Sequence, residues 1–184
     1  MNEVLKVIKC RRSVREYNNE QQIDEASLQA IIEAGIYAPT ACNEQPWHFT
    51  VVQNRELLDE INVESKAFMA SSGEEWMRNM AANPEFAVTY QAPTVIVVSG
   101  RRESTAWQVD CAAAVQNMLL AAESLGIGSV WLGLSRAALS DKHIIERLSI
   151  PEGYEPFYSV AFGYPKGQHP QAPRRNTNVF NYVR

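Results

Sequence analysis

Residues 38–49 read APTACNEQPWHF. Pro39 and Pro46 bracket a polar run that holds Thr40, Asn43, Glu44 and Gln45, and Trp47 and His48 follow. The stretch marks a change of period. Upstream, Leu28, Ile31, Ile32, Gly35 and Ile36 recur at helical spacing, which predicts a helix over 24–37 that Pro39 ends. Downstream, HFTVVQ predicts a short strand over 48–53. Gln45 precedes a proline and is therefore expected in extended backbone. Asn43 and Gln45 would then lie on one side, at a spacing of two. Two amides that each donate and accept suit the mixed edge of a heteroaromatic ring. The alternative is an edge loop whose amides cap nearby backbone, with Trp47 in the core.

The remaining elements follow outward from this switch. Residues 2–9 predict a short helix that ends in a basic cluster. Asn54 can cap a helix carrying Leu57, Leu58 and Ile61. Residues 63–91 are polar and contain methionines, and read as a helical excursion. TVIVVS, residues 94–99, is a buried strand with Pro93 at its entrance. Residues 105–125 predict a long helix whose middle, CAAAVQNMLLAA, is apolar on more than one face and needs cover on several sides. Gly126 stops it. GSVWL, 128–132, and FYSVAF, 157–162, are further strands, and Ser140 can cap a helix running through Leu148. From Gly163 the breakers in GYPKG and HPQAP predict an extended tail draped over something. There is no internal repeat. The order of helices and strands gives an α+β class with a small sheet, and 184 residues suit a single domain over 1–184 or one protomer with a shared core.

Composition narrows the chemistry. A net charge of -4 argues against non-specific nucleic-acid binding. Local basic groups at Arg11, Arg12 and Arg15, at Arg101 and Arg102, and at Arg174 and Arg175 suit a small anion instead. Cys10, Cys42 and Cys111 have neither disulfide nor metal spacing, and His48, His143 and His169 form no ligand set, so no metal is expected. The N-terminus lacks the pattern of a signal peptide, and no apolar run reaches membrane-spanning length. A reducing cytoplasm is expected.

Three further stretches carry candidate chemistry. RRSVR, residues 11–15, sets three guanidinium groups and a hydroxyl within five residues, which suits a phosphate monoester or a solvated patch after a helix. GIGSVWLGL, residues 126–134, leads a strand into Gly133, where backbone can approach a ligand closely. Arg174 and Arg175 in the tail can join the Arg11 cluster on one phosphate or remain solvated. Cys42 has no convincing base, and packing explains it better than nucleophilic chemistry.

RRSVREY, APTACNEQPWHF, GIGSVWLGL after the alanine-rich helix, FGYP and an Arg-bearing tail, in this order from residue 11 to about 175, resemble the FMN-dependent nitroreductase family. The resemblance implies a nitroreductase-like fold, a small, mostly antiparallel sheet flanked by helices. It implies a homodimer with FMN at the subunit interface, NAD(P)H as electron donor, and ping-pong reduction of a nitroaromatic, quinone or similar small-molecule acceptor. Arg11, Arg12, Ser13 and Arg15 would contact the phosphate and flavin edge, with Arg174 reaching the phosphate from the tail. Pro39, Thr40, Ala41, Asn43 and Gln45 would meet the ring from the partner subunit. Trp131, Leu132 and Gly133 would present backbone to it. No side chain is required as a covalent catalyst. Ala172 stands where relatives often carry a second basic residue, NPEFAVTY offers no match to flavin contacts of larger members, and the excursion that shapes the family's substrate pocket is compact. A flavin-fragmenting or dehalogenating relative, or a flavin-binding or flavin-sensing protein without turnover, are the alternatives.

Overall fold

A computed structural model describes residues 2–168 and 170–184, so His169 lies outside the described residues. The central layer is a sheet of four antiparallel strands, β1 (Trp47–Val52), β2 (Thr94–Arg101), β3 (Gly128–Leu132) and β4 (Tyr154–Gly163), in the order β1-β2-β4-β3. β2 explains the two-sided core. Its side chains alternate, so Val95 and Val97 join one buried cluster while Ile96 and Val98 join the other. A strand buried on both faces must be apolar throughout, and TVIVVS is nearly so.

Helices supply the two outer layers. On one side lie α2 (Glu25–Ile36) and α5 (Trp107–Ser124), which bring Leu28, Ile31, Cys111, Val115, Met118 and Leu119 against the sheet. On the other lie α3 (Arg55–Ala70) and α6 (Lys142–Arg147), with Leu57, Leu58, Ile61 and Ile144. α1 (Glu3–Cys10) buries none of its residues and leaves Val4, Leu5 and Ile8 exposed, although it packs beside α5. The α+β class and the flanked antiparallel sheet agree with the sequence.

The predicted caps at Asn54 and the stop at Gly126 hold: Asn54 Oδ1 accepts from Leu57 N at 2.9 Å, and Gly126 has φ +73°. Ser140 does not cap α6. Asp141 does, because its Oδ1 accepts from both His143 N at 2.9 Å and Ile144 N at 3.1 Å, whereas Ser140 Oγ turns back to Arg136 O. The excursion resolves into two parts. α3 runs on to Ala70, and α4 (Glu75–Ala82) follows as a separate amphipathic helix of about two turns that buries none of its residues. Residues 170–184 form neither helix nor strand and lie exposed, Val179, Phe180 and Tyr182 among them.

Candidate functional site

The segment after α1 lies along the free edge of β3. Ser13 bridges Ser129 in parallel, and Val14 N donates to Ser129 O at 3.1 Å. Gly128 permits this approach, since a Cβ there would sit 2.9 Å from Val14. Tyr17 locks the segment from beneath: it is buried and its hydroxyl donates to Val14 O at 2.7 Å. Burial raises the Tyr17 phenol far above its ordinary range, so it stays a donor. Glu16 O accepts from Lys166 N at 2.9 Å, which brings the chain after β4 alongside.

This arrangement brings Arg15 and Lys166 together, with Glu16 and Glu85 lining the same space. Arg15 projects outward, its guanidinium 5.8 Å from the centre of the Tyr90 ring. Arg15 and Lys166 line a cleft of about 290 Å³ with Tyr17, Phe86 and Tyr90, and with Ser13 and Pro165 they line an adjoining cleft of about 210 Å³. The side chain of Arg11 makes no hydrogen bond or ion pair to any described residue. Arg12 is different: its Nη1 donates to Lys9 O at 2.8 Å and Arg11 O at 2.7 Å, so it closes the end of α1. Its Nε is buried with no partner among the described residues. Arg174 lies in the exposed tail and forms no ion pair with a described residue. Lys166 escaped the sequence reading because it sits inside GYPKG, where the breakers speak loudest.

β3 ends at Leu132, and Gly133 follows it, four residues and about 13 Å beyond Ser129. Trp131 packs edge-on to Phe157 and Tyr158, at 6.1 and 5.2 Å between ring centres, and Leu132 is buried in the core. Their side chains are thus committed to packing, and backbone is what they offer a ligand. A Cβ added to Gly133 would meet nothing within 4 Å. The glycine opens onto space.

The 38–46 loop is rigid for a reason the sequence does not display. Cys42, Asn43 and Gln45 have φ of +50°, +55° and +46°, a left-handed backbone that side chains resist. Gln45 is therefore not extended, contrary to the expectation from Pro46. The amides nevertheless meet, with Gln45 Nε2 donating to Asn43 Oδ1 at 3.1 Å. Anchors hold this shape. Ala41 N donates to the buried Asp110 carboxylate at 3.2 and 3.3 Å. Glu44 accepts from Thr105 N at 2.8 Å and from Thr105 Oγ1 at 3.0 Å. Arg101 donates to Pro46 O and Glu44 O, and Thr40 Oγ1 accepts from Gln45 N at 3.3 Å. Pro39 and Thr40 lead into the loop with Thr40 half-buried.

Within one chain the two groups of residues do not converge. The loop feeds β1, on one edge of the sheet, whereas Ser13, Arg15 and Gly133 belong to the β3 edge. Three inter-strand spacings separate those edges, roughly 14 Å. Among the described residues there is no group of three His, Cys, Asp or Glu placed to hold a metal, and no helix is long and apolar enough to cross a membrane.

Comparison with known proteins places this geometry. The Nitroreductase family matches residues 8–164. A crystal structure of a nitroreductase with bound FMN from Bacteroides fragilis superposes with a TM-score of 0.90 at 36% identity, covering 100% of both chains. A protein of Archaeoglobus fulgidus, provisionally named an NADH dehydrogenase/NAD(P)H nitroreductase, is 40% identical over 168 residues, 91% of this chain and 88% of its own. The FMN reductase [NAD(P)H] of Bacillus subtilis is 27% identical over 192 residues, 99% of this chain and 74% of its own.

Proposed function

The chain belongs to the nitroreductase family, and we propose that two copies of it complete each FMN site from opposite sheet edges. It is an FMN-dependent oxidoreductase that takes electrons from NAD(P)H. The observation that carries the shared site is the separation just described. One edge offers cations, a hydroxyl and an open glycine; the other offers a braced pair of amides. A second copy, turned so that its loop faces the β3 edge of the first, brings both groups to one ligand.

The residues present fit the cofactor. Arg11, Arg15 and Lys166 are cations without carboxylate partners among the described residues, as a phosphate monoester requires, and in the proposed site Arg174 of the exposed tail joins them. Ser13 lies beside them. Gly133 leaves room for a flat ring against backbone, whose N–H groups favour added electron density. The partner copy's loop supplies Pro39, Thr40, Ala41, Asn43 and Gln45 as the facing wall. Arg12 supports the phosphate side by closing α1. When bound, FMN supplies the two-electron relay between nicotinamide and acceptor, and the protein orients the reactants.

The second copy also answers an exposed apolar surface. Val4, Leu5 and Ile8 on α1 and Val109 on α5 face outward, as do Val179, Phe180 and Tyr182 in the tail. Covering them between two copies is the economical solution. We read the chain as one domain, reducing a nitroaromatic, a quinone or a similar small acceptor. Three free thiols fit a reducing cytoplasm. The test is direct. The purified protein should be yellow or take up FMN, and NADH or NADPH should bleach it anaerobically, with an acceptor restoring the colour. A protein that stays colourless with excess FMN would refute the reading. One that binds FMN but is bleached by neither nicotinamide would be a flavin-binding protein without turnover.

A further inference from the structure

We infer, resting on the functional reading above, that Arg136 makes the acceptor site select planar molecules that carry a carboxylate. A cavity of about 460 Å³ opens directly at Gly133 and is lined by Phe68, Met77, Leu134, Arg136 and Ser140. Its lining is an aromatic ring, a thioether, aliphatic carbon and the Ser140 hydroxyl, with one charged group, Arg136. Apolar walls of this kind hold a flat ring, and methionine sulfur makes favourable contact with aromatic faces. Phe68, which lies on α3, is half exposed where it lines this cavity. Large apolar side chains left open around a cavity mark a surface that something apolar covers.

The cation adds the selectivity. Arg136 stands on the turn that begins at Gly133, three residues beyond that glycine. Its guanidinium lies 5.1 Å from the centre of the Tyr158 ring, which holds the plane while leaving the donor fork free. It forms no ion pair with a described residue, unlike Arg102 and Arg147, which pair with Glu155, Glu56 and Glu60. The lining contains no carboxylate. An unpaired guanidinium at the rim of an apolar slot is a receptor for an anion attached to a ring. For a nitrobenzoate the first two-electron step balances as Ar–NO₂ + NAD(P)H + H⁺ → Ar–NO + NAD(P)⁺ + H₂O. One N–O bond breaks, the nicotinamide is oxidised and the nitro group is reduced, while the carboxylate stays on Arg136 unchanged.

The test compares isosteres on the flavin-loaded protein. Benzoate and benzamide are titrated separately, and binding is read from the shift of the flavin visible band. kcat/KM is then measured for 4-nitrobenzoate and 4-nitrobenzamide. Benzoate and 4-nitrobenzoate should be preferred by about fivefold, the worth of one partly solvated ion pair. Arg136→Gln should abolish both preferences, and Arg136→Lys should restore part of them, with the visible spectrum of bound flavin retained in each. Equal affinity for benzoate and benzamide, or a preference that survives Arg136→Gln, would overturn this inference while the flavoenzyme reading stands. A protein that takes up no flavin would overturn both.

Discussion

Replacing Asp110 with Ala removes the acceptor that holds the polar loop in place. Asp110 is buried, and both of its carboxylate oxygens share the single N–H of Ala41 at 3.2 and 3.3 Å. A hydrogen bond to a charged group contributes about 1.5–3 kcal/mol, and these long distances put this one near 1.5. The next four positions include three left-handed residues, each costing on the order of 1 kcal/mol, so the loop relaxes once an anchor is gone. If that relaxation is reversed on binding, flavin affinity falls by about tenfold, the equivalent of about 1.4 kcal/mol. FMN and riboflavin should lose affinity equally, because the proposed site sets this loop against the ring and not the phosphate. Asp110→Asn keeps an oxygen able to accept from Ala41 N and should lose much less. The assay is fluorescence titration of both flavins into apoprotein, with a thermal melt as the fold check. Wild-type affinity in Asp110→Ala would refute the bracing argument. Equal losses in Asp110→Ala and Asp110→Asn would show that charge, not the hydrogen bond, is what acts.

The phosphate edge should behave in the opposite way: Arg11→Ala with Arg15→Ala should weaken FMN by about 1.5–3 kcal/mol per lost contact and riboflavin far less, and equal losses would move these arginines off the phosphate. Gly133→Val should fold normally, since nothing lies within 4 Å of the new Cβ, yet fail to hold FMN in an equilibrium dialysis; retained flavin would place the ring elsewhere. Burial first, and Asp110 second, push the Cys111 thiol up to about 12 from 9.0. Its folded value exceeds its unfolded one, so its contribution to stability is complete below pH 9 and fades as pH rises toward 12. Denaturant midpoints of wild type should therefore fall more steeply over that range than those of Cys111→Ala, and identical slopes would contradict the burial argument. Flavin-saturated Cys42→Ala should keep most NAD(P)H-dependent turnover, because Cys42 is exposed and the proposed chemistry needs no thiolate; its loss with FMN still bound would restore a nucleophile.

Elements with strong local signals were legible in the chain. Leu28, Ile31 and Gly35 repeat at helical spacing because they share one buried face, and TVIVVS is apolar because both of its faces are covered. Asn54 announces α3 through its own side chain. Pattern fails where a residue's role depends on a distant partner. Asp110 reads as one more polar position on a helix, and only folding sets it against Ala41, 69 residues away. Arg12 sits in the middle of RRSVR with the charge of its neighbours, but its reach back to Lys9 O depends on where α1 stops. Ser140 and Asp141 are both acceptable caps, and the 3-10 turn over Ala138–Ser140 decides between them. Local propensity reads Gln45 as extended, and the anchors of the loop overrule it. Strand order is the largest omission. Short apolar runs identify strands without naming neighbours, so the placement of β1 and β3 on opposite edges was visible only in the fold.

That placement is tested most directly by complementation between two defective chains. One variant carries Arg11→Ala and Arg15→Ala, the other Asn43→Ala and Gln45→Ala, and each alone should bind little FMN. Co-expressed with different affinity tags and purified through both, they form a mixed dimer. A site built from the β3 edge of one copy and the loop of the other leaves one site intact and puts all four substitutions in the second. The mixed dimer should then hold one FMN at wild-type affinity and recover about half of the NAD(P)H-dependent turnover. A mixed dimer as empty as either parent would mean that each chain builds its site from its own residues, and would contradict the shared site.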